Sequence, residues 1–206
     1  MYLTRMKLNT DNRNVMRALV APNLIHGAVE SSFSGDRKRC LWRIDRLGGN
    51  TYLLLLSQER PDLRKAADQF GSSEWETISY EPLLERVVKG SQWHFRLVAN
   101  PTISRSQGSG KRGKIYAHSS IRFQREWFLN KAEKHGFLID EKQFDVKGSQ
   151  WFRFRKKEGG HTISLLQVTY EGILTVDSPE LFKTMLKEGI GREKAYGMGL
   201  LTIVRV

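Results

Sequence analysis

The sequence predicts an α+β protein made of two tandem ferredoxin-like (RRM-like) units, each running strand–helix–strand–strand–helix–strand. Three observations carry this expectation. Stretches of two-residue alternation recur between segments of helical periodicity. The order of those segments in the first half returns in the second. The 206 residues suit two compact units of about 100 residues each.

The opening YLTRMKL alternates, with Tyr2, Thr4, Met6 and Leu8 on one face and Arg5 and Lys7 on the other, as in a half-buried strand. Asp11 is expected to cap a helix whose apolar residues are Val15, Met16, Leu19 and Val20. Pro22 breaks that helix and opens another at its first position, with Ile25, Ala28 and Val29 as the apolar stripe. CLWRID (40–45) and TYLLLLS (51–57) read as strands joined by a GGN turn at 48–50. Pro61 opens a helix with Leu63, Ala66, Ala67 and Phe70 inward, and WHFRLVA (93–99) alternates as the fourth strand.

In the second half KIYA (114–117) is a short strand. A helix follows from about Ser119 to His135, with Ile121, Phe128 and Ala132 inward and Gly136 as its stop. WFRFR (151–155) and LLQVTYEGILTV (165–176) are strands, Ser178–Pro179 caps a helix carrying Leu181, Phe182, Met185 and Leu186, and LLTIVRV closes the chain. The expected division is a first unit over 1–100, a basic Gly/Ser-rich linker over 101–113 and a second unit over 114–206.

The formal net charge of +12 calls for an anionic partner, nucleic acid first and an anionic membrane surface second. Cys40 is the single cysteine, which excludes an internal disulfide and points to a reducing, cytoplasmic setting. MYLTRMKLN lacks the apolar run of a signal peptide, and YLLLL (52–56) is too short to span a bilayer, so no membrane partner is expected. His94, His118, His135 and His161 have no ligand spacing among themselves or with Cys40, so neither a metal nor a cofactor is expected. No Ser-His-Asp or Cys-His arrangement stands out.

Two basic stretches could grip the phosphates of an A-form stem, or could be solvated loops. The first holds Arg105, Lys111, Arg112 and Lys114; the second holds Arg153, Arg155, Lys156 and Lys157. Arg153 and Arg155 alternate with Phe152 and Phe154, which predicts an ordered cationic strand face. Near the C-terminus, GIGREKAYGMGLL (189–201) sets Gly191, Gly197 and Gly199 around Arg192 and Lys194. Spacing alone leaves two readings equal: a tight turn that needs glycine for shape, and a loop offering N–H groups and cations to phosphate. His26 lies about 100° around its helix from Ile25, on the flank of the apolar stripe. By spacing alone it reads as a histidine without a role.

GIGREKAYGMGLL resembles the C-terminal glycine-rich loop of the CRISPR repeat-RNA endoribonucleases, in the variant known as the CasE subunit of type I-E Cascade. MYLTRMKLN is similar to that family's opening strand, FRLVANP (95–101) to its mid-chain strand and YEGILTV (170–176) to its late strand. APNLIH (21–26) sits where the family carries its catalytic histidine. The matches run from end to end. They imply two ferredoxin-like domains and metal-independent cleavage of CRISPR repeat RNA at the base of its hairpin, with His26 transferring the proton. They also imply that the mature crRNA stays bound within Cascade beside its other subunits. Known relatives carry a tyrosine three residues before the histidine, where this chain has Asn23. An amide does not transfer a proton at neutral pH, so either another group such as Lys194 or His161 fills the role or the enzyme is slow. The alternative is a non-catalytic RNA-hairpin-binding subunit of a ribonucleoprotein.

Overall fold

The computed structural model describes every residue except 35–38, 73, 109, 112 and 156–159. Its first unit comprises β1 (Tyr2–Leu8), α1 (Arg13–Val20), α2 (Pro22–Glu30), β2 (Leu41–Leu47), β3 (Asn50–Ser57), α3 (Arg64–Phe70), β4 (Trp75–Ser79) and a short α4 (Glu81–Glu85). The strands form one antiparallel sheet in the order β2-β3-β1-β4, the ferredoxin-like arrangement. The helices cover one face. Met6, Leu8, Leu53 and Leu55 meet Val15, Ala18, Ile25, Val29, Ala66 and Phe70 there in one buried cluster.

Local chemistry sets the boundaries. Asn12, not Asp11, caps α1, because its side chain accepts a hydrogen bond from the Asn14 N–H. The Asp11 N–H instead donates to Asn9 Oδ1. Met16 and Val20 of α1 are exposed rather than buried, at 52% and 65%. Helix α3 begins at Arg64, three residues later than the proline signal suggests.

The second unit comprises β5 (Gln92–Ala99), β6 (Thr102–Arg105), β7 (Lys114–Ala117), α5 (Ile121–Ala132), β8 (Phe137–Leu138), β9 (Phe144–Arg155), β10 (Thr162–Val176), α6 (Pro179–Glu188) and β11 (Leu201–Arg205). Its sheet runs β11-β5-β10, with β8 and β9 both paired to β10. All these pairs are antiparallel, so the second unit is ferredoxin-like as well. Phe128 and Ala132 of α5 and Phe182, Met185 and Leu186 of α6 are buried; Ile121 and Leu181 face solvent. On α5 the inward places nearest its start belong to Gln124 and Trp127.

The strand membership differs from the sequence expectation. WHFRLVA forms β5, which pairs with β10 and β11, so the fourth strand of the first sheet is β4. β4 escaped notice because WETIS is largely exposed and shows no apolar alternation. A division at residue 100 therefore separates β5 from its own sheet. Residues 101–113 are not a simple linker, and KIYA is not the first strand of the second sheet. β6 and β7 pair only with each other, forming a two-stranded ribbon between β5 and α5. Among the described residues no helix is long and apolar enough to cross a membrane.

The two units share a core. Leu41 and Leu56, on the helix-free face of the first sheet, belong to one buried cluster with Phe95, Leu97, Tyr170 and Leu201 of the second unit. Arg43 crosses the same interface. It is 2% exposed and forms a two-point pair with Asp45, Nε to Oδ1 at 2.8 Å and Nη2 to Oδ2 at 2.6 Å. Its Nη1 donates to the carbonyl oxygens of Arg96 on β5 (2.8 Å) and of Leu200 (2.9 Å), and its Nη2 donates to Thr202 Oγ1 on β11 (2.8 Å). Arg96 Nε stands 3.2 Å from Asp45 Oδ1, and Arg96 Nη1 bonds Glu171 on β10.

Removing Asp45 strands a buried guanidinium. Asp45→Ala is expected to destabilise the protein by about 3–5 kcal/mol, measured as a fall in the urea midpoint at unchanged slope. A loss below about 1 kcal/mol, the range of exposed pairs, would show that the pair does not hold the units together.

Candidate active site and nucleic-acid interface

Helix α2 positions the candidate histidine. Pro22 starts it, and Ile25, Ala28 and Val29 anchor its inner face. His26 is one step round, with its side chain 22% exposed. Its Nε2 lies 3.3 Å from Glu30 Oε1, one helical turn on. Gly27 beside it is exposed and has open space where a Cβ would project. A bulky group can therefore approach His26 over the glycine. Asn23 lies in the first turn of α2, half-buried, and its Oδ1 has no hydrogen-bond partner among the described residues.

The glycine-rich loop packs directly on this helix. A 3-10 turn at Lys194–Tyr196 contacts both α2 and β2. Gly197 follows it with φ 78°, and a Cβ there would lie 2.6 Å from the Trp42 ring. The Gly199 N–H donates to Val98 O at 2.7 Å, and the Gly197 N–H donates to Lys194 O at 3.3 Å. Those amides serve the fold, so at Gly197 and Gly199 glycine is needed for shape. Gly191 is half-buried against the Trp127 ring. Lys194 Nζ donates to Glu188 O at the end of α6, at 2.6 Å. Burial, with Arg39 nearby, holds the Lys194 ammonium below the usual lysine range. Arg192 is exposed.

One cleft of about 380 Å³ runs along α2 and the loop, but His26, Asn23, Arg192 and Lys194 are not among the residues that line it. Its walls include Pro22 and Ile25 of α2, Tyr196 and Gly197 of the loop, Trp42 of β2, and Arg96, Gln150 and Phe152 of the second sheet. The cleft thus lies between the units, at the seam that Arg43 closes. Tyr196 also meets the Phe154 ring edge-on, with centroids 5.1 Å apart, so the loop braces the end of β9 in the β9–β10 hairpin.

On that hairpin Arg153 and Arg155 are exposed while Phe154 is buried and Phe152 half-buried, an ordered cationic face. Lys156, Lys157 and Arg112 lie outside the described residues. Arg105, Lys111 and Lys114 are exposed on or near the β6–β7 ribbon. His161 is exposed where β10 begins. Burial and the carboxylates of Glu30 and Glu59 push the Cys40 thiol up to about 11, which leaves it protonated and a poor nucleophile at neutral pH. Among the described residues no group of three His, Cys, Asp or Glu side chains could hold a metal ion.

Sequence reasoning missed three residues of this region. Glu30 had a visible signal, its spacing of four from His26. Arg96 and Tyr196 had none, because the contacts that place them cross between the units.

A family model described as CRISPR associated protein matches residues 1–205. The CRISPR-associated endoribonuclease Cse3 of Thermus thermophilus is 29% identical over 221 aligned positions, covering 98% of this chain and 99% of that protein. A structure of Cse3 bound to a 19-nucleotide RNA superposes with a TM-score of 0.83 at 28% identity, covering 99% of this chain and all of that one. Thermus thermophilus Cse3 bound to an RNA representing a pre-cleavage complex gives 0.82 at 25% identity over 98% of each chain.

The glycine geometry sets a test. Gly197→Ala combines a left-handed backbone with a clash against Trp42 and is expected to cost about 1–3 kcal/mol in thermal melts. Arg192→Ala is expected to leave stability unchanged. Equal stability of Gly197→Ala and wild type would mean that the loop does not seat on Trp42 as described.

Proposed function

The chain belongs to the CRISPR associated protein family, and on that footing we propose that it is an endoribonuclease that cuts CRISPR repeat transcripts at the base of their hairpin. The observation that carries this reading is the cleft. It runs between α2, the helix that bears His26 outside the cleft lining, the glycine-rich loop and strands β9 and β10 of a cationic hairpin, in a fold shared at a TM-score of 0.83 with RNA-bound Cse3.

The proposed chemistry uses the RNA's own 2′-hydroxyl. Its oxygen bonds to the adjacent phosphorus as the bond from phosphorus to the 5′-oxygen breaks. One proton leaves the 2′-oxygen and one reaches the departing 5′-oxygen. The products carry a 2′,3′-cyclic phosphate and a 5′-hydroxyl. His26 serves one of these transfers, and cations stabilise the charge that develops on phosphate. No metal is assigned a role. Lys194 ties the loop to the end of α6. Arg153, Arg155, Arg105, Lys111 and Lys114 grip the stem, and Lys156, Lys157 and Arg112, outside the described residues, are proposed to contribute as well. The mature crRNA then stays bound, and the protein occupies one end of a Cascade complex in the cytoplasm.

Asn23 favours one second reading, a subunit that holds the RNA hairpin without cutting it. The same experiment separates the two. Labelled repeat hairpin is incubated in EDTA with wild type, with His26→Ala, and as a substrate 2′-deoxy at the cut. The expected outcome is a single wild-type cut with a cyclic end, a rate loss of at least about 100-fold in His26→Ala, no cut in the deoxy RNA, and binding retained in both controls. Tight binding of intact RNA by wild type would overturn the enzyme reading and leave the holding subunit. For the grip, Arg153→Ala with Arg155→Ala is expected to weaken binding and to lower the slope of log affinity against log salt by roughly 1 for each phosphate no longer neutralised.

A further inference from the structure

We infer that Tyr116 on the β6–β7 ribbon is a stacking platform for an unpaired nucleobase flanking the RNA hairpin, an inference that rests on the RNA-binding reading above. The ribbon belongs to neither sheet. A free two-stranded ribbon has little stability of its own. This one is secured at its base, where the His118 N–H donates to Pro101 O and Gln124 Nε2 donates to His118 O. Its tip can close because Gly113 passes where a Cβ would lie 2.5 Å from Ser104 Oγ.

The ribbon holds its aromatic ring in the open. Tyr116 is 42% exposed beside Ile103, its cross-strand partner, which is 42% exposed as well. The pair at the tip end of the ribbon is Arg105 and Lys114. Their cationic groups lie 5.5 and 5.4 Å from the Tyr116 ring centroid. Both side chains are long and exposed, and both can swing from the ring to a phosphate on either side of a stacked base.

Charge selects the partner. No carboxylate occurs between Glu85 and Glu126, a span that contains the whole ribbon. A protein surface rarely matches so one-sided a patch, whereas a phosphate chain does. The ring selects further. A paired stem buries the faces of its bases, so an exposed tyrosine gains by stacking only where bases are unpaired. The inferred ligand is therefore the single-stranded segment next to the stem.

The test compares three non-cleavable 2′-deoxy-blocked RNAs by fluorescence anisotropy at fixed salt: the blunt hairpin, and the hairpin with a short single-stranded extension on its 5′ or its 3′ side. Tyr116→Ala is expected to weaken an extended RNA roughly 5- to 100-fold, as the loss of one base–aromatic stack does, and to leave the blunt hairpin unchanged. Tyr116→Phe should bind like wild type. Tyr116→Leu keeps apolar bulk on the ribbon and should fail like alanine. Full rescue by leucine, an equal loss on blunt and extended RNA, or no loss on either extension would each overturn the stack. Wild-type protein that does not bind the blunt hairpin would overturn the RNA reading itself; wild type that binds it, with no gain from any extension, sinks only the stack.

Discussion

Arg43 is the point on which the assembly of this molecule depends. A guanidinium buried to 2% exposure is tolerable only when its charge and its donors are met, and here the partners come from both units. Asp45 supplies the charge from the same strand, while β5 and β11 supply carbonyl and hydroxyl oxygens. Leucines around it could slide over one another at small cost. A fork of fixed directions cannot, so the relative placement of the two sheets follows from it. The cleft between the units inherits that placement, because Arg96, whose carbonyl Arg43 binds, lines it.

The glycine loop works by the same logic with shape in place of charge. It reaches α2 only because Gly197 lets the backbone pass under the Trp42 ring. Glu193, just before the turn, adopts φ 62° without being glycine, a strained state held by its surroundings. The two readings that spacing left equal are therefore less separate than they looked. The glycines make a tight turn, and the tight turn sets Tyr196 at the edge of the cleft. Arg192, outside the tight part, remains exposed to whatever approaches.

Much of the fold was legible because strand and helix periodicities leave plain marks: β1, β3, β10, α2 and α6 follow their apolar stripes. The strand misses have two causes, a strand without an apolar stripe and contacts that cross between the units. β4 lacked an apolar alternation, and β5, which has a strong one, was assigned to the nearer unit in sequence rather than to the sheet that it joins. Arg43 and Asp45 share one face of β2, and charges spaced by two normally mark the solvent side of a strand. Here that side is an interface. At the candidate site, composition supplied the cationic hairpin and ribbon, and a resemblance supplied His26. Periodicity supplied neither the loop's seat on α2 nor the place of Tyr196, since both depend on residues far apart in the chain.

The wiring of Arg43 also bears on how the chain is made. A ribosome delivers β2 early, yet two of the oxygens that Arg43 needs, on Leu200 and Thr202, are 157 and 159 residues downstream. Until β11 emerges the first sheet carries an arginine–aspartate pair on an open face, solvated and harmless. Burial of that pair waits on those downstream residues, and long separations of this kind slow the closing step. The seam between the units therefore closes only once β2 and the β11 region, far apart in the chain, have met.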